Sequence, residues 1–93
     1  MAELLSEDEI TSRLDGSQWD REGDEIVRNW EFEDFSQAIE FVNRVASAAE
    51  EANHHPDILI HGWNQVRLSL TNHEAGGLTE ADFKMANRFD ELG

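Results

Sequence analysis

The chain has 93 residues, with 21 Asp and Glu against 7 Lys and Arg and a formal charge of −14. A length of this order carries one domain, read here as residues 1–93, with one modest core. The charge excludes nucleic acid as a partner, because affinity for a polyanion rests on Lys and Arg neutralising phosphates. It equally excludes docking on an anionic membrane.

The acidity does not make the chain disordered. Leu, Ile, Val and Phe number 22 of the 93 residues, above the rough 20% floor for disordered chains. Three Trp and five Phe supply further apolar area to bury. Of the basic residues six are Arg and only Lys84 is Lys. Carboxylates in excess with almost no lysine point to a high-salt cytoplasm, where self-repulsion is screened over about 3 Å at 1 M salt, with an ordinary acidic mesophile protein as the alternative. With no cysteine there is no disulfide, thiol nucleophile or Cys-based metal site. Met1–Asp15 is acidic where a signal peptide is basic and then apolar, and the longest aliphatic run, Ile58–Ile60, cannot span a membrane. The expected setting is cytoplasmic.

In chain order, Ser6-Glu7-Asp8-Glu9 is a capping-box sequence followed by Ile10 and Leu14, which predicts a short helix ending near Asp15-Gly16. Trp19 opens a strand that turns at Glu22-Gly23-Asp24. Ile26, Arg28, Trp30 and Phe32 then alternate with Val27, Asn29, Glu31 and Glu33, a second strand with one mostly apolar face. Phe35, Ala38, Ile39, Val42, Val45, Ala46 and Ala49 recur at spacings of three and four, the apolar stripe of a long helix capped by Asp34 or Ser36. Pro56 biases His55 toward extended geometry, so this helix stops around Asn53–His54. Ile58–Trp63 and Val66–Thr71 predict two strands joined through Asn64-Gln65, with Trp63 a packing residue. Asn72–Leu78 is a loop, and Thr79-Glu80-Ala81-Asp82 opens a last helix carrying Phe83, Met85, Ala86 and Phe89. The order α-β-β-α-β-β-α predicts an α+β fold: a four-stranded antiparallel sheet with helices packed on one face. Its edge strands are natural places for subunits to join.

The chemistry concentrates late in the chain. All four histidines fall between His54 and His73, three of them at element boundaries, where side chains can converge while helix and sheet hold them still. Imidazole donates and accepts protons near neutral pH, and several around one cleft suit an elimination, in which a leaving hydroxyl is protonated and a proton is removed. Against this stand a histidine that only favours a helix C-terminus and a zinc site. Zinc is disfavoured because adjacent side chains diverge and neither HExxH nor cysteine is present. His61 lies mid-strand and reads as surface or interface.

Glu50-x3-His54-His55-Pro56-x6-Trp63-x9-His73-x8-Asp82 resembles the signature of the pterin-4a-carbinolamine dehydratases. The likeness extends through Phe35–Val45 and Thr71–Thr79 and covers residues 6–91. It implies the same four-stranded fold and the dehydration of a 4a-hydroxytetrahydropterin to quinonoid dihydropterin and water, with no metal and no cofactor. By the resemblance His54 and His73 act as general acids on either face of the pterin, and His55 binds substrate and receives a ring proton. Glu50 and Asp82 orient the imidazoles or bind the polar pterin edge. Trp19 supplies an aromatic wall, and Asn53, Pro56, Thr71, Asn72 and Glu74 line the pocket. Asp82 has a structural reading beside this one, as the fourth residue of a capping box. Glu50 is also one of many carboxylates on its helix. The family further implies a homodimer or homotetramer. Its second reading is a non-catalytic pterin-binding or protein-interaction module of the same fold, for example one linked to molybdopterin metabolism. Two departures from animal members are Ala81, where those carry a basic residue, and one extra residue between Pro56 and Trp63.

Overall fold

The computed structural model describes residues 3–93; Met1 and Ala2, part of the acidic N-terminus read above, lie outside them. Helix α1 (Glu7–Leu14) starts where the sequence placed it. The Ser6 hydroxyl accepts from Glu9 N–H at 3.2 Å, and the Glu9 carboxylate accepts from Ser6 N–H at 3.3 Å. Both bonds satisfy N–H groups that a helix start leaves unpaired. Strands β1 (Asp20–Glu22) and β2 (Glu25–Glu31) form a hairpin, followed by α2 (Phe35–Ala52). Strands β3 (Asp57–His61) and β4 (Gln65–Leu70) form a second hairpin, and α3 (Glu80–Leu92) closes the chain.

The two hairpins join through their inner strands. Every pairing is antiparallel and the order is β1-β2-β4-β3, with Ile26 opposite Leu70 and Trp30 opposite Val66. This is the expected α+β architecture. Side chains alternate across the sheet, so Ile26, Trp30, Val66, Leu68 and Leu70 share one face. They pack with Ile10 of α1, Ala38, Phe41, Val45 and Ala48 of α2, and Phe83, Met85, Ala86 and Phe89 of α3. The apolar face of each amphipathic element is thus removed from water in one layer of helices on one layer of sheet. On the opposite face Arg67 reaches Glu22 at 2.8 Å. Arg21 of β1 ties to Glu7 of α1 at 2.9 Å; this hydrogen bond and the guanidinium charge hold the Glu7 carboxyl below its ordinary value.

Three details correct the sequence reading. The buried side of α2 is Ala38, Phe41, Val45, Ala48 and Ala49, while Phe35 is 53% exposed and Ala46 faces water. The stripe is therefore rotated toward Phe41, whose ring packs on Trp30 at 4.8 Å and Phe32 at 5.2 Å. The second hairpin turns earlier, at Gly62–Asn64, with Gly62 at φ 56° and Trp63 at φ 57°. The left-handed backbone ends the strand at His61 and throws Trp63 outward, 62% exposed, so it is not a packing residue of this chain.

Candidate active site

The end of α2 builds the first wall of the site. Asn53 takes the left-handed conformation at φ 52°, which a short polar side chain tolerates. Its N–H bonds to Glu50 O at 3.2 Å and His54 N–H bonds to Ala49 O at 3.1 Å, a Schellman stop that satisfies two free carbonyls. The chain then leaves sideways. Pro56, lacking an N–H, sits just ahead of β3, whose first residue Asp57 pairs with Ser69. Beyond this exit the two histidines take different partners, His54 on α3 and His55 back on α2.

Each imidazole meets a carboxylate. His55 Nε2 lies 2.5 Å from Glu50 Oε2, with both side chains more than half exposed. His54 Nε2 lies 2.6 Å from Asp82 Oδ1, and here burial is deep: the Asp82 side chain is 0% exposed and that of His54 16%. Asp82 belongs to the first turn of α3, and its other oxygen, Oδ2, accepts from Thr79 N–H at 2.8 Å and from the Thr79 hydroxyl at 3.1 Å. A carboxylate only accepts hydrogen bonds, so His54 donates from Nε2 and keeps Nδ1 for other partners.

The loop after β4 forms the facing wall. Asn72 organises it: its side chain accepts from Ala75 N–H at 2.9 Å, and its backbone exchanges hydrogen bonds with Gly77 at 3.0 and 3.1 Å. Gly76 at φ 81° completes the return, a conformation that favours glycine. The Thr71 hydroxyl donates to Asp24 O at 2.6 Å and fixes the loop to the first hairpin. Held this way, the loop leaves His73 and Glu74 exposed.

Asn53, His54, His55, Thr71, Asn72, His73 and Glu74 line one groove of about 380 Å³. Glu50 and Asp82 touch it through the histidines they hold. Pro56 is half-buried behind His55 and directs the chain rather than lining the groove. The structure does not bring Trp19 there. Its indole is 4% exposed in the core, edge-on to Trp30 at 5.7 Å, and its Nε1–H donates to Asp90 Oδ1 at 2.8 Å. A buried indole N–H needs such a partner, and that need keeps Trp19 at the far end of α3 from Asp82. His61 lies on the open sheet face, 3.3 Å from Asn29 Oδ1. Among the described residues no three His, Asp or Glu side chains form a group able to hold a metal ion, and no helix is long and apolar enough to cross a membrane. Sequence reasoning read Thr79 as the opener of a capping box with Asp82, and the structure adds that the same carboxylate reaches His54.

A four-stranded sheet carrying a helix layer, with imidazoles gathered where one helix ends and a loop returns, defines a small α+β protein with a histidine-lined groove. Residues 3–92 match the family described as Pterin 4 alpha carbinolamine dehydratase, and the chain belongs to that family. A relative from Natronomonas pharaonis, provisionally named a pterin-4-alpha-carbinolamine dehydratase, is 48% identical over 92 residues, covering 99% of this chain and 98% of its own. The crystal structure of a transcriptional coactivator/pterin dehydratase from Brucella melitensis superposes with a TM-score of 0.88 at 33% identity, over 95% of this chain and 96% of that one. A pterin dehydratase-like protein identified as a RuBisCO assembly factor of the alpha-carboxysome matches with a TM-score of 0.69 at 26% identity, over 82% of this chain and 89% of that one.

Proposed function

We propose that the protein dehydrates a 4a-hydroxytetrahydropterin to the quinonoid dihydropterin and water by histidine acid–base catalysis, without a metal or cofactor. One observation carries the reading: three imidazoles, His54, His55 and His73, border a single groove, and two of them are held by carboxylates. The leaving hydroxyl sits on a carbon bonded to nitrogen, so the nitrogen lone pair helps expel it once an acid protonates the oxygen. His54, gripped by Asp82, and His73, on the opposite wall, are the general acids. His55, with Glu50 behind it, receives the ring-nitrogen proton, so one proton enters on the oxygen and one leaves from the ring. Asn53, Thr71, Asn72 and Glu74 offer polar groups to the pterin edge. Purified protein added to chemically prepared 4a-hydroxytetrahydropterin in molar salt accelerates dehydration by at least about 10²-fold. A rate equal to the spontaneous background overturns the proposal.

A second reading keeps the fold and moves the function to protein interaction. The neighbour that is an assembly factor favours it, since the same fold serves there beside dehydratase-like sequence. The two readings separate in the assay just described, because an interaction module leaves the spontaneous rate untouched.

The same proposal includes a homodimer or homotetramer living in high salt. Among the described residues the outer edge of β3 is unpaired, and the strand carries Ile58 and Leu59, 39% and 53% exposed; α2 shows Phe35 and Ala46 to water. Such edges and stripes are covered in stable proteins. The −14 charge and a relative from a haloarchaeon support the saline setting. Light scattering in 1 M salt gives a mass of two or four chains. On dilution to 0.1 M salt, where the Debye length grows to about 10 Å, the melting temperature drops by about 10 °C, equivalent to about 2 kcal/mol. A single-chain mass contradicts the oligomer, and an unchanged melting temperature contradicts the salt adaptation.

A further inference from the structure

Thr79 opens α3 as the first residue of a Thr79-x-x-Asp82 capping box, the pairing that Ser6 and Glu9 also make at the start of α1. Asp82 N–H bonds to the Thr79 carbonyl at 3.1 Å, and the Thr79 hydroxyl is directed at the Asp82 carboxylate, 3.1 Å from Oδ2. The Thr79 N–H donates to the same oxygen at 2.8 Å. Two donors from one residue therefore fix Oδ2, and the carboxylate has its Oδ1 left to face His54 Nε2. Thr79 is 1% exposed and Asp82 0%, so no bulk solvent competes for these bonds.

We infer that the Thr79 side chain is a positioning residue of the active site: its hydroxyl locks the Asp82 carboxylate, which in turn sets the tautomer and direction of His54. The inference rests on the dehydratase reading above. Geometry makes the effect one of orientation. A carboxylate held only by the backbone N–H can rotate about its Cβ–Cγ bond, and the imidazole rotates with it. Held by two donors on one side, it presents a single oxygen to His54. Thr79 does not line the groove, and its hydrogen bonds reach His54 through Asp82, so its loss affects the reacting step rather than pterin binding. The titratable groups that share the groove with His54 are His55 at the end of α2 and His73 and Glu74 in the loop, and Asp82 of α3 lies against its ring. Of these only Asp82 bonds to its ring.

Thr79→Val removes the hydroxyl while keeping the branched shape, and Thr79→Ser restores it. Expected in Thr79→Val is a fall in kcat of about tenfold with KM within about twofold of the parent. Proton NMR of the unliganded protein provides the second readout: the hydrogen-bonded His54 Nε2–H resonance, assigned by its absence in His54→Gln, broadens or disappears in Thr79→Val. Thr79→Ser retains both kcat and the resonance. Parent-like kcat and an undisturbed resonance in Thr79→Val overturn the inference, as does an equal loss in the Val and Ser variants. Because the resonance is read without substrate, a parent protein lacking dehydratase activity refutes the function while leaving the Thr79–Asp82–His54 linkage decided by NMR.

Discussion

Asp82→Asn lowers kcat for dehydration by about 10²–10⁴-fold while the protein stays folded. The two side chains have the same shape, so packing around the buried site is preserved. Their hydrogen-bonding capacity differs: the amide has one oxygen and one NH₂ where the carboxylate has two acceptors. Thr79 N–H and the Thr79 hydroxyl both point at one position, so the amide oxygen settles there. The NH₂ is then left against His54 Nε2, at the place now held by Oδ1 2.6 Å away. Two donors cannot share that contact. The imidazole moves its proton to Nδ1 or turns away, and in either case it loses the carboxylate that favours the doubly protonated ring, the form able to give an Nδ1 proton to the leaving hydroxyl. The effect exceeds that of Thr79→Val because it inverts the partner instead of loosening it. His54→Ala costs a similar amount, and the double variant is little worse than either single one, as befits groups acting as a unit. Steady-state kinetics at saturating pterin, with far-UV circular dichroism to verify folding, decides the matter. A kcat within threefold of the parent would falsify the pairing as part of catalysis and leave it a helix anchor.

The sequence was informative where a signal is local. The Ser6–Glu9 capping box, the stop of α2 ahead of Pro56 and the alternation along β2 and β4 each depend on residues a few positions apart, and each element formed as expected. The histidine cluster was legible for the same reason: His54 and His55 leave a helix whose end Asn53 and Pro56 dictate, and His73 sits in a loop marked by Gly76-Gly77. What depends on distant partners was not legible. Trp19 reads as an aromatic wall until the indole N–H is seen to require Asp90, 71 residues away. Asp82 reads equally as a cap and as a site residue until His54, 28 residues back, is found on its second oxygen. Trp63 reads as strand because an apolar residue next to a strand pattern carries no mark of a positive φ. The facing of α2 failed differently. Apolar residues flank the true buried stripe on both sides, so periodicity defines a broad arc without choosing its centre.

That choice of centre has a large energetic consequence. Phe41→Ala destabilises the protein by about 3–5 kcal/mol, the range for emptying a buried aromatic site. Phe41 is 0% exposed and lies between Ala38 and Val45 on the inner side of α2. Its ring meets Trp30 at 4.8 Å and Phe32 at 5.2 Å, and Trp30 in turn carries the Arg28 guanidinium 4.3 Å from its own ring. Removing the ring deletes its transfer energy and leaves a cavity that the rigid β2 backbone, paired on both sides, cannot collapse to fill. Since small domains are stable by about 5–15 kcal/mol, such a loss moves the urea midpoint sharply downward and lowers the melting temperature by at least about 12 °C. Phe35→Ala is the contrasting case. The sequence stripe included Phe35 and left out Phe41, yet Phe35 is 53% exposed, and its truncation changes the stability of the single chain by no more than about 0.5 kcal/mol. Urea unfolding at high dilution measures both. A loss in Phe35→Ala as large as or larger than that in Phe41→Ala would contradict a buried face centred on Phe41. The site itself is insulated from this change at low temperature, because Asn53, His54 and Asp82 are held by the end of α2 and the start of α3. Activity per folded molecule therefore persists in Phe41→Ala, and what declines is the fraction of molecules that remain folded on warming.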